Sequence, residues 1–241
     1  MQDAVVIIPT YNEIENIEAI IRAVFALPKA FDVLVVDDNS PDNTAQKVKD
    51  LQIEFPDRLS LEVRQKKSGL GTAYIHGFRW ALKKKYQFVF EMDADFSHNP
   101  KDLIHLYDAC YYGEADVAIG SRYVKGVNVV NWPLGRVILS YGASMYVRFV
   151  TGMKIRDATA GFICYKRQVL EQLDLNQIKF VGYAFQIEMK FKANLKKFKI
   201  VEVPVIFTDR TKGESKLSSS IISEAIFGVI SMKLKSLFKS N

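Results

Sequence analysis

Asp93 and Asp95 close the run Phe88-Val-Phe-Glu-Met-Asp-Ala-Asp-Phe-Ser97, with one small residue between them. Side chains two apart on an extended chain point to the same side, so a strand over this run aims both carboxylates at one cation. Two carboxylates leave most of an octahedral shell open. Mg²⁺ or Mn²⁺ held so sparsely completes its coordination with water and the phosphate oxygens of a substrate. Asp is also a common turn residue, so a solvated acidic turn is the alternative reading of the pair taken alone.

The elements that must position this pair are legible in the apolar pattern. Ala4 to Ile8 reads as a buried strand ended by Pro9, Val33 to Val36 as a second and Leu59 to Val63 as a third. The Asp-pair run is the fourth, and Val117 to Gly120 the fifth. Helical spacing fills the gaps. Ile14, Ile17, Ile20, Ile21, Val24 and Phe25 share one face; Ser40 with Pro41 and Asn99 with Pro100 have the chemistry of helix starts. Such alternation predicts an α/β fold, a mostly parallel sheet with helices on both faces. Ligands of open parallel sheets bind beyond the carboxyl ends of the strands. Pro9 to Glu13, Asp37-Asp38, Lys66 to Gly71, Asp93 to Asp95 and Ser121-Arg122 all fall at such ends. Five polar clusters on one rim describe a cleft for a charged, phosphorylated ligand.

Composition narrows the partners. The 241 residues are 49% hydrophobic and suit one folded domain over 1–241, with 33 Lys plus Arg against 27 Asp plus Glu for a formal charge of +6. That balance favours acidic partners, whether nucleic acid, phosphorylated molecules or an anionic membrane. Cys110 and Cys164 lack metal spacing and read as reduced cytosolic thiols. The N-terminus lacks the pattern of a secretion signal, and no uninterrupted apolar run reaches the ~20 residues of a spanning helix. His98 and His105 have no third ligand for zinc, and His76 reads as a packing residue.

Beyond Lys125 the pattern changes. Trp132 to Val150 is long and apolar, with Arg136 and Arg148 inside it, and suits either a lipid-facing cleft or a packed helix. Tyr183 to Leu195 reads as a helix, and Ile200 to Phe207 as a late strand that Pro204 pushes to an edge. Asp209 to Lys216 is a polar loop rich in cations and small residues. Residues 217–241 carry an apolar stripe of Ile221, Ile222, Ala225, Ile226, Val229 and Ile230, followed by Lys233, Lys235 and Lys239. Such an amphipathic segment can lie in a membrane interface or dock on its own domain.

With these residues placed, the chain resembles the dolichol-phosphate (polyprenol-phosphate) mannose synthase family, inverting glycosyltransferases of GT-A fold. The resemblance runs from Val5 to about Lys216. It rests on Pro9-Thr-Tyr-Asn-Glu13, Val35 to Asp42, Gly69 to Tyr74, Met92 to His98, Gly120-Ser-Arg-Tyr123 and Asp209 to Lys216, six weak motifs in family order. It implies that Pro9, Tyr11, Glu13, Val36 and Asp38 hold the donor nucleoside, and that Asp93 and Asp95 hold Mg²⁺ or Mn²⁺ with the Ala94 backbone near the nucleotide. It further implies that Arg122, Arg210 and Lys216 handle phosphates, while Arg136 and Ser140 contact an acceptor phosphate; Ser97 stands where some members have Gln. The implied partners are a nucleotide sugar, GDP-mannose before UDP-glucose, a polyprenyl or dolichyl phosphate, and the cytoplasmic membrane face, met peripherally.

The residues themselves suit that chemistry. A departing diphosphate needs a cation and nearby Arg or Lys as negative charge develops. A lipid monophosphate is already largely anionic at neutral pH and needs no general base. A dinucleotide-dependent oxidoreductase is disfavoured, because no Gly-x-Gly-x-x-Gly follows the first strand. A nucleic-acid-binding module is disfavoured too, because the basic residues are dispersed and lack a stacking aromatic motif.

Overall fold

In the computed structural model, residues 2–182, 184–209 and 219–238 are described, by backbone alone for 219–225 and 238. Strands β1 (Ala4–Thr10), β2 (Asp32–Asp37), β3 (Leu59–Val63), β4 (Phe88–Glu91), β5 (Val117–Ser121), β7 (Ile163–Lys166) and β8 (Ile200–Pro204) form one sheet in the order β3-β2-β1-β4-β7-β5-β8. All neighbours are parallel except β7, which runs antiparallel to both β4 and β5. A second, two-stranded ladder joins β6 (Val129–Val130) to β9 (Phe207–Thr208).

The alternation of β1 shows why its apolar run is continuous. Val5 and Ile7 face one core, with α3 (Leu70–Lys83), α6 (Arg167–Gln172) and α7 (Ala184–Leu195). Ala4, Val6 and Ile8 face the other, with α1 (Ile17–Phe25), α2 (Thr44–Glu54) and α4 (Asp102–Tyr111). A strand covered on both faces has no solvent side to be polar on. The predicted α/β sheet with helices on both faces is present; the late strand expected over 200–207 splits after Pro204 into β8, at the predicted edge, and β9 of the separate ladder.

Several local expectations are corrected. Pro9 does not end β1, which runs on to Thr10. Ile7 accepts a hydrogen bond from Met92, so by alternation Pro9 also faces the β4 side, where pairing has stopped and no N–H is needed. Ser40 is not a helix cap: its N–H and hydroxyl both donate to the Asp37 carboxylate (2.9 and 2.6 Å), while Asp42 accepts from the Thr44 N–H at the start of α2 (3.1 Å). The first turn of α1 begins at Ile17 rather than Ile14, because Asn12 turns the chain with φ of 58°. The run leading to Tyr165, not assigned to an element from sequence, is β7. His76 is half-exposed and paired with Glu62 (3.0 Å) rather than packed.

The apolar stretch that begins at Trp132 folds from Leu134 as α5 (Leu134–Thr151), and the C-terminal helix α8 (Ser219–Phe238) lies against α5 and α7. Tyr146 Oη donates to the Ile226 carbonyl (2.8 Å), and Lys233 Nζ to that of Thr151 (3.2 Å). A Cβ on Gly228 would fall 2.5 Å from the Phe180 ring, so glycine allows the close approach. Val229 is buried here, but Ile226 and Ile230 of the expected stripe are exposed, and the side chains of Ile221, Ile222 and Ala225 lie outside the described residues. Phe227, Leu234 and Leu237 are also exposed, as are Leu134, Ile138, Leu139, Met145 and Phe149 of α5. Among the described residues, no helix is long and apolar enough to cross a membrane.

Candidate active site

The turn after β4 carries the paired acids. β4 ends at Glu91, because its ladders with β1 and β7 stop there, so Asp93 and Asp95 lie in a bend rather than on a strand. The same-face alternation expected of them therefore does not operate. Two other contacts shape the bend: the Asp95 carboxylate accepts from Ser97 N–H (3.0 Å), and the Asp93 N–H donates to His98 Nδ1 (3.2 Å). His98 is buried, stacked on Phe162 with ring centroids 4.8 Å apart. Burial pushes its pKa down to about 4, so the ring is neutral at pH 7 and Nδ1 is free to accept. Asp93 is partly exposed at the rim, and the two carboxylates are hard oxygen donors of the kind Mg²⁺ or Mn²⁺ takes. No group of three or more potential metal ligands occurs among the described residues, so the pair suits a cation that brings phosphate oxygens with it.

The neighbouring strand ends supply a second set. β1 and β2 pair Pro9 with Val36 and Thr10 with Asp37, which brings Tyr11 and Asp38 just beyond the rim, while Glu13, past the Asn12 turn, has its N–H on Thr44 Oγ1 (3.1 Å). Asp37 is fully buried and organises the turn, accepting from Thr10 Oγ1 (2.7 Å) and from Ser40. Asp38 instead meets a forked Arg64, whose Nε and Nη2 donate at 2.5 and 2.7 Å. Glu13 accepts from Asn16 Nδ2 (3.1 Å), and Lys67 Nζ sits 4.2 Å from the centre of the Tyr11 ring. Gly69 and Gly71 act through the backbone. Gly69 has φ of +95°, and a Cβ on Gly71 would meet the Phe185 ring and the Phe180 carbonyl at 2.8 Å.

The third set gathers around Arg122, just after β5. Because β7 is antiparallel, the loop that precedes it, 157–162, reaches the same rim as the carboxyl ends of β4 and β5. Asp157 on that loop accepts from Arg122 N–H, Nε and Nη2 at 2.9, 2.8 and 2.6 Å, and Thr159 accepts from Nη2 at 2.9 Å. Burial pushes the Asp157 carboxyl up, and the Arg122 hydrogen bonds and charge overcome this and hold it below its usual range. Beneath the loop, the fully buried Lys190 Nζ donates to the carbonyls of Ala158 and Ala160 (3.1 and 2.5 Å). Its burial lowers its pKa, while burial raises that of Glu91, whose carboxylate accepts from Gln186.

Trp132 joins Arg122 to α5. The Arg122 guanidinium lies 5.4 Å from a Trp132 ring centre and that of Arg136 lies 4.1 Å from it. Arg136 Nη1 also donates to Asp209 (2.7 Å). Buried Tyr123 donates to Ser140 Oγ (2.8 Å). Arg122, Arg136 and Ser140 are thus brought to one place, bounded by the Asp-pair turn, because Thr208 N–H donates to the Ser97 carbonyl (3.3 Å) and Phe207 packs edge-on against His98. Arg210 and Lys216 lie outside the described residues, as does the rest of that polar segment after Asp209. Sequence reasoning missed Arg64, His98, Trp132 and Asp157 as site residues; only Arg64, the first cation after β3, stood where the rim argument could have found it.

An acidic turn and an arginine cluster on the carboxyl rim of a parallel sheet match the fold class of nucleotide-sugar transferases of GT-A type. Glucosyl-3-phosphoglycerate synthase from Mycobacterium tuberculosis, solved with Mn²⁺, UDP and glucosyl-3-phosphoglycerate, shares the fold with a TM-score of 0.68 at 16% identity, over 96% of this chain and 78% of that one. Among curated relatives, the polyprenol monophosphomannose synthase of Mycolicibacterium smegmatis is 48% identical over 95% of this chain and 86% of its own. The undecaprenyl-phosphate mannosyltransferase of Micrococcus luteus is 45% identical over 92% and 90%. The model of glycosyl transferase family 2 matches residues 5–174, and the chain belongs to that family.

Proposed function

We infer that this enzyme transfers mannose from GDP-mannose to a polyprenyl monophosphate, with inversion at the sugar carbon. The observation that carries this reading is the junction of the Asp93–Asp95 turn with the Arg122–Trp132–Arg136 cluster, an acidic and a basic site meeting on one rim. The names of the two relatives support the acceptor class and the sugar. UDP-glucose or another nucleotide sugar is the alternative donor for the same acceptor.

In this reading Pro9, Tyr11, Glu13, Val36 and Asp38 hold the nucleoside, with the Ala94 backbone beside it. Asp93 and Asp95 would hold Mg²⁺ or Mn²⁺, which would supply positive charge to the diphosphate leaving group. Arg122, fixed by Asp157, faces the phosphates, with Arg210 and Lys216 assigned the same task. Arg136 and Ser140 orient the acceptor phosphate. An acceptor oxygen forms the new bond to the anomeric carbon as the carbon–diphosphate bond breaks, and the electron pair leaves with the nucleoside diphosphate. The acceptor monoester, nearly a dianion at pH 7, becomes a monoanionic diester, and no proton has to be removed. Two arginines on one indole gather two anions that would otherwise repel, which is the positioning an in-line attack requires.

The acceptor is a lipid, so the enzyme works at a membrane surface, peripherally on the cytoplasmic face. The exposed apolar residues of α5 and α8, with Lys233 and Lys235, supply interfacial burial and attraction to anionic headgroups. Radiolabelled transfer tests the chemistry: GDP-mannose should label polyprenyl phosphate in the presence of Mg²⁺ or Mn²⁺, and the free polyprenol should stay unlabelled. Equal labelling of the alcohol refutes the phosphate nucleophile.

A further inference from the structure

Arg136 lies in the proposed acceptor site already occupied by an anion of this chain: its Nη1 donates to Asp209 at 2.7 Å, with each side chain about a quarter exposed (28% and 27%). We propose that Asp209 is an exchangeable counter-ion, a positioning and specificity residue that the acceptor phosphate must displace from Arg136. The inference rests on the transfer reading given above.

The geometry suits an exchange without rearrangement of the chain. Arg136 is also held by the Trp132 ring, whose centre is 4.1 Å from the guanidinium, a contact that does not depend on the carboxylate. Asp209 is anchored by its backbone, its N–H donating to the Val130 carbonyl (3.0 Å) at the end of the β6–β9 ladder. Handing the guanidinium N–H from carboxylate to phosphate therefore moves the Asp209 side chain while this backbone hydrogen bond stays in place. The carboxylate has to turn away, because leaving it beside an incoming dianion would crowd two like charges at one cation.

This arrangement sets a threshold. The cost of displacing Asp209 is the same for every anion, whereas the attraction of Arg136 grows with ligand charge. A phosphate monoester carries nearly two charges at pH 7 and a diester carries one. The acceptor clears the fixed cost more easily than the diester headgroups of the surrounding membrane or the diester product, so Asp209 keeps the site from filling with abundant monoanions. After transfer the ligand has lost a charge and the returning carboxylate helps to free it.

The test is steady-state kinetics of the full chain with GDP-mannose and a short-chain polyprenyl phosphate. Asp209→Asn and Asp209→Ser should each lower the acceptor KM about fivefold, which is about 1 kcal/mol at 1.4 kcal/mol per factor of ten. Inhibition by dibutyl phosphate, a monoanionic diester, should set in at about fivefold lower concentration. The KM for GDP-mannose should not move, and Asp209→Glu should restore the wild-type acceptor KM. A merely structural role predicts the opposite sign. If either neutral variant raises the acceptor KM or leaves it unchanged, or if donor and acceptor KM shift together, the counter-ion role is refuted while the transfer reading stands. Wild-type protein that fails to use any lipid phosphate defeats the transfer reading and this inference with it.

Discussion

Replacing Asp157 by Asn should destabilise the fold by about 3–5 kcal/mol, because it neutralises the buried carboxylate that accepts three hydrogen bonds from the buried Arg122. Asp157 is fully buried and Arg122 is only 8% exposed, so water cannot compensate. The carboxylate accepts three hydrogen bonds from Arg122, and Asn offers one acceptor oxygen where there were two. For a chain of this size a loss near 4 kcal/mol lowers Tm by roughly 10 °C. Removing both groups in Arg122→Met with Asp157→Asn should cost less than the sum of the single changes by about 2 kcal/mol, since the buried guanidinium goes too. Chemical denaturation of the four proteins measures the cycle. The pH dependence gives an independent reading: the folded carboxyl titrates below its unfolded value of 3.8, so its contribution is complete above that value and is lost as pH falls through the folded one. Wild type and Asp157→Asn should therefore differ by a constant amount above about pH 5 and converge in stronger acid. A loss under 1 kcal/mol, or strict additivity in the cycle, would refute the claim that this pair fixes Arg122.

Two further outcomes are expected. Asp95→Asn should abolish metal-dependent transfer while circular dichroism and Tm stay near wild type, and full activity of the variant in chelator would remove the carboxylate from the metal site. Phe149 is 90% exposed on α5 and Phe227 is 74% exposed on α8, so Phe149→Ser with Phe227→Ser should weaken flotation with anionic liposomes at least tenfold. Undiminished flotation would take these two helices off the membrane.

The strand composition and the polar residues at strand ends were enough to read the sheet, its two helical layers and the rim, because burial on both faces leaves an unbroken apolar run. What escaped was decided by long-range partners. The Asp-pair bend needs His98, Ser97 and the end of two ladders, and no spacing within the run announces them. Ser40 carries good capping chemistry, yet the Asp37 carboxylate, itself held by Thr10, takes both of its donors. Arg122 was legible as a cation at a strand end, but its partner Asp157 lies 35 positions away on a loop that reaches the rim only because β7 runs backwards. The C-terminal stripe was read as one face, whereas the helix buries Gly228 and Val229 and leaves Ile226 and Ile230 outside.

The reversed strand also governs how the chain is born. β4 is complete at Glu91, but the strand that covers its free edge begins at Ile163, some 70 residues later. At about 5–20 residues per second, a ribosome needs roughly 4–14 s to make that interval. Throughout it, β4 exposes an unpaired row of backbone groups flanked by Phe88, Val89 and Phe90, the kind of edge that recruits strands from other chains. β5 emerges midway and has no strand neighbour until the same strand arrives, since among the described residues it pairs with β7 and β8 alone. Synthesis of Ile163–Lys166 therefore closes two open edges at once, and slowing translation between residues 91 and 163 should trap this protein in aggregates more readily than slowing it anywhere later.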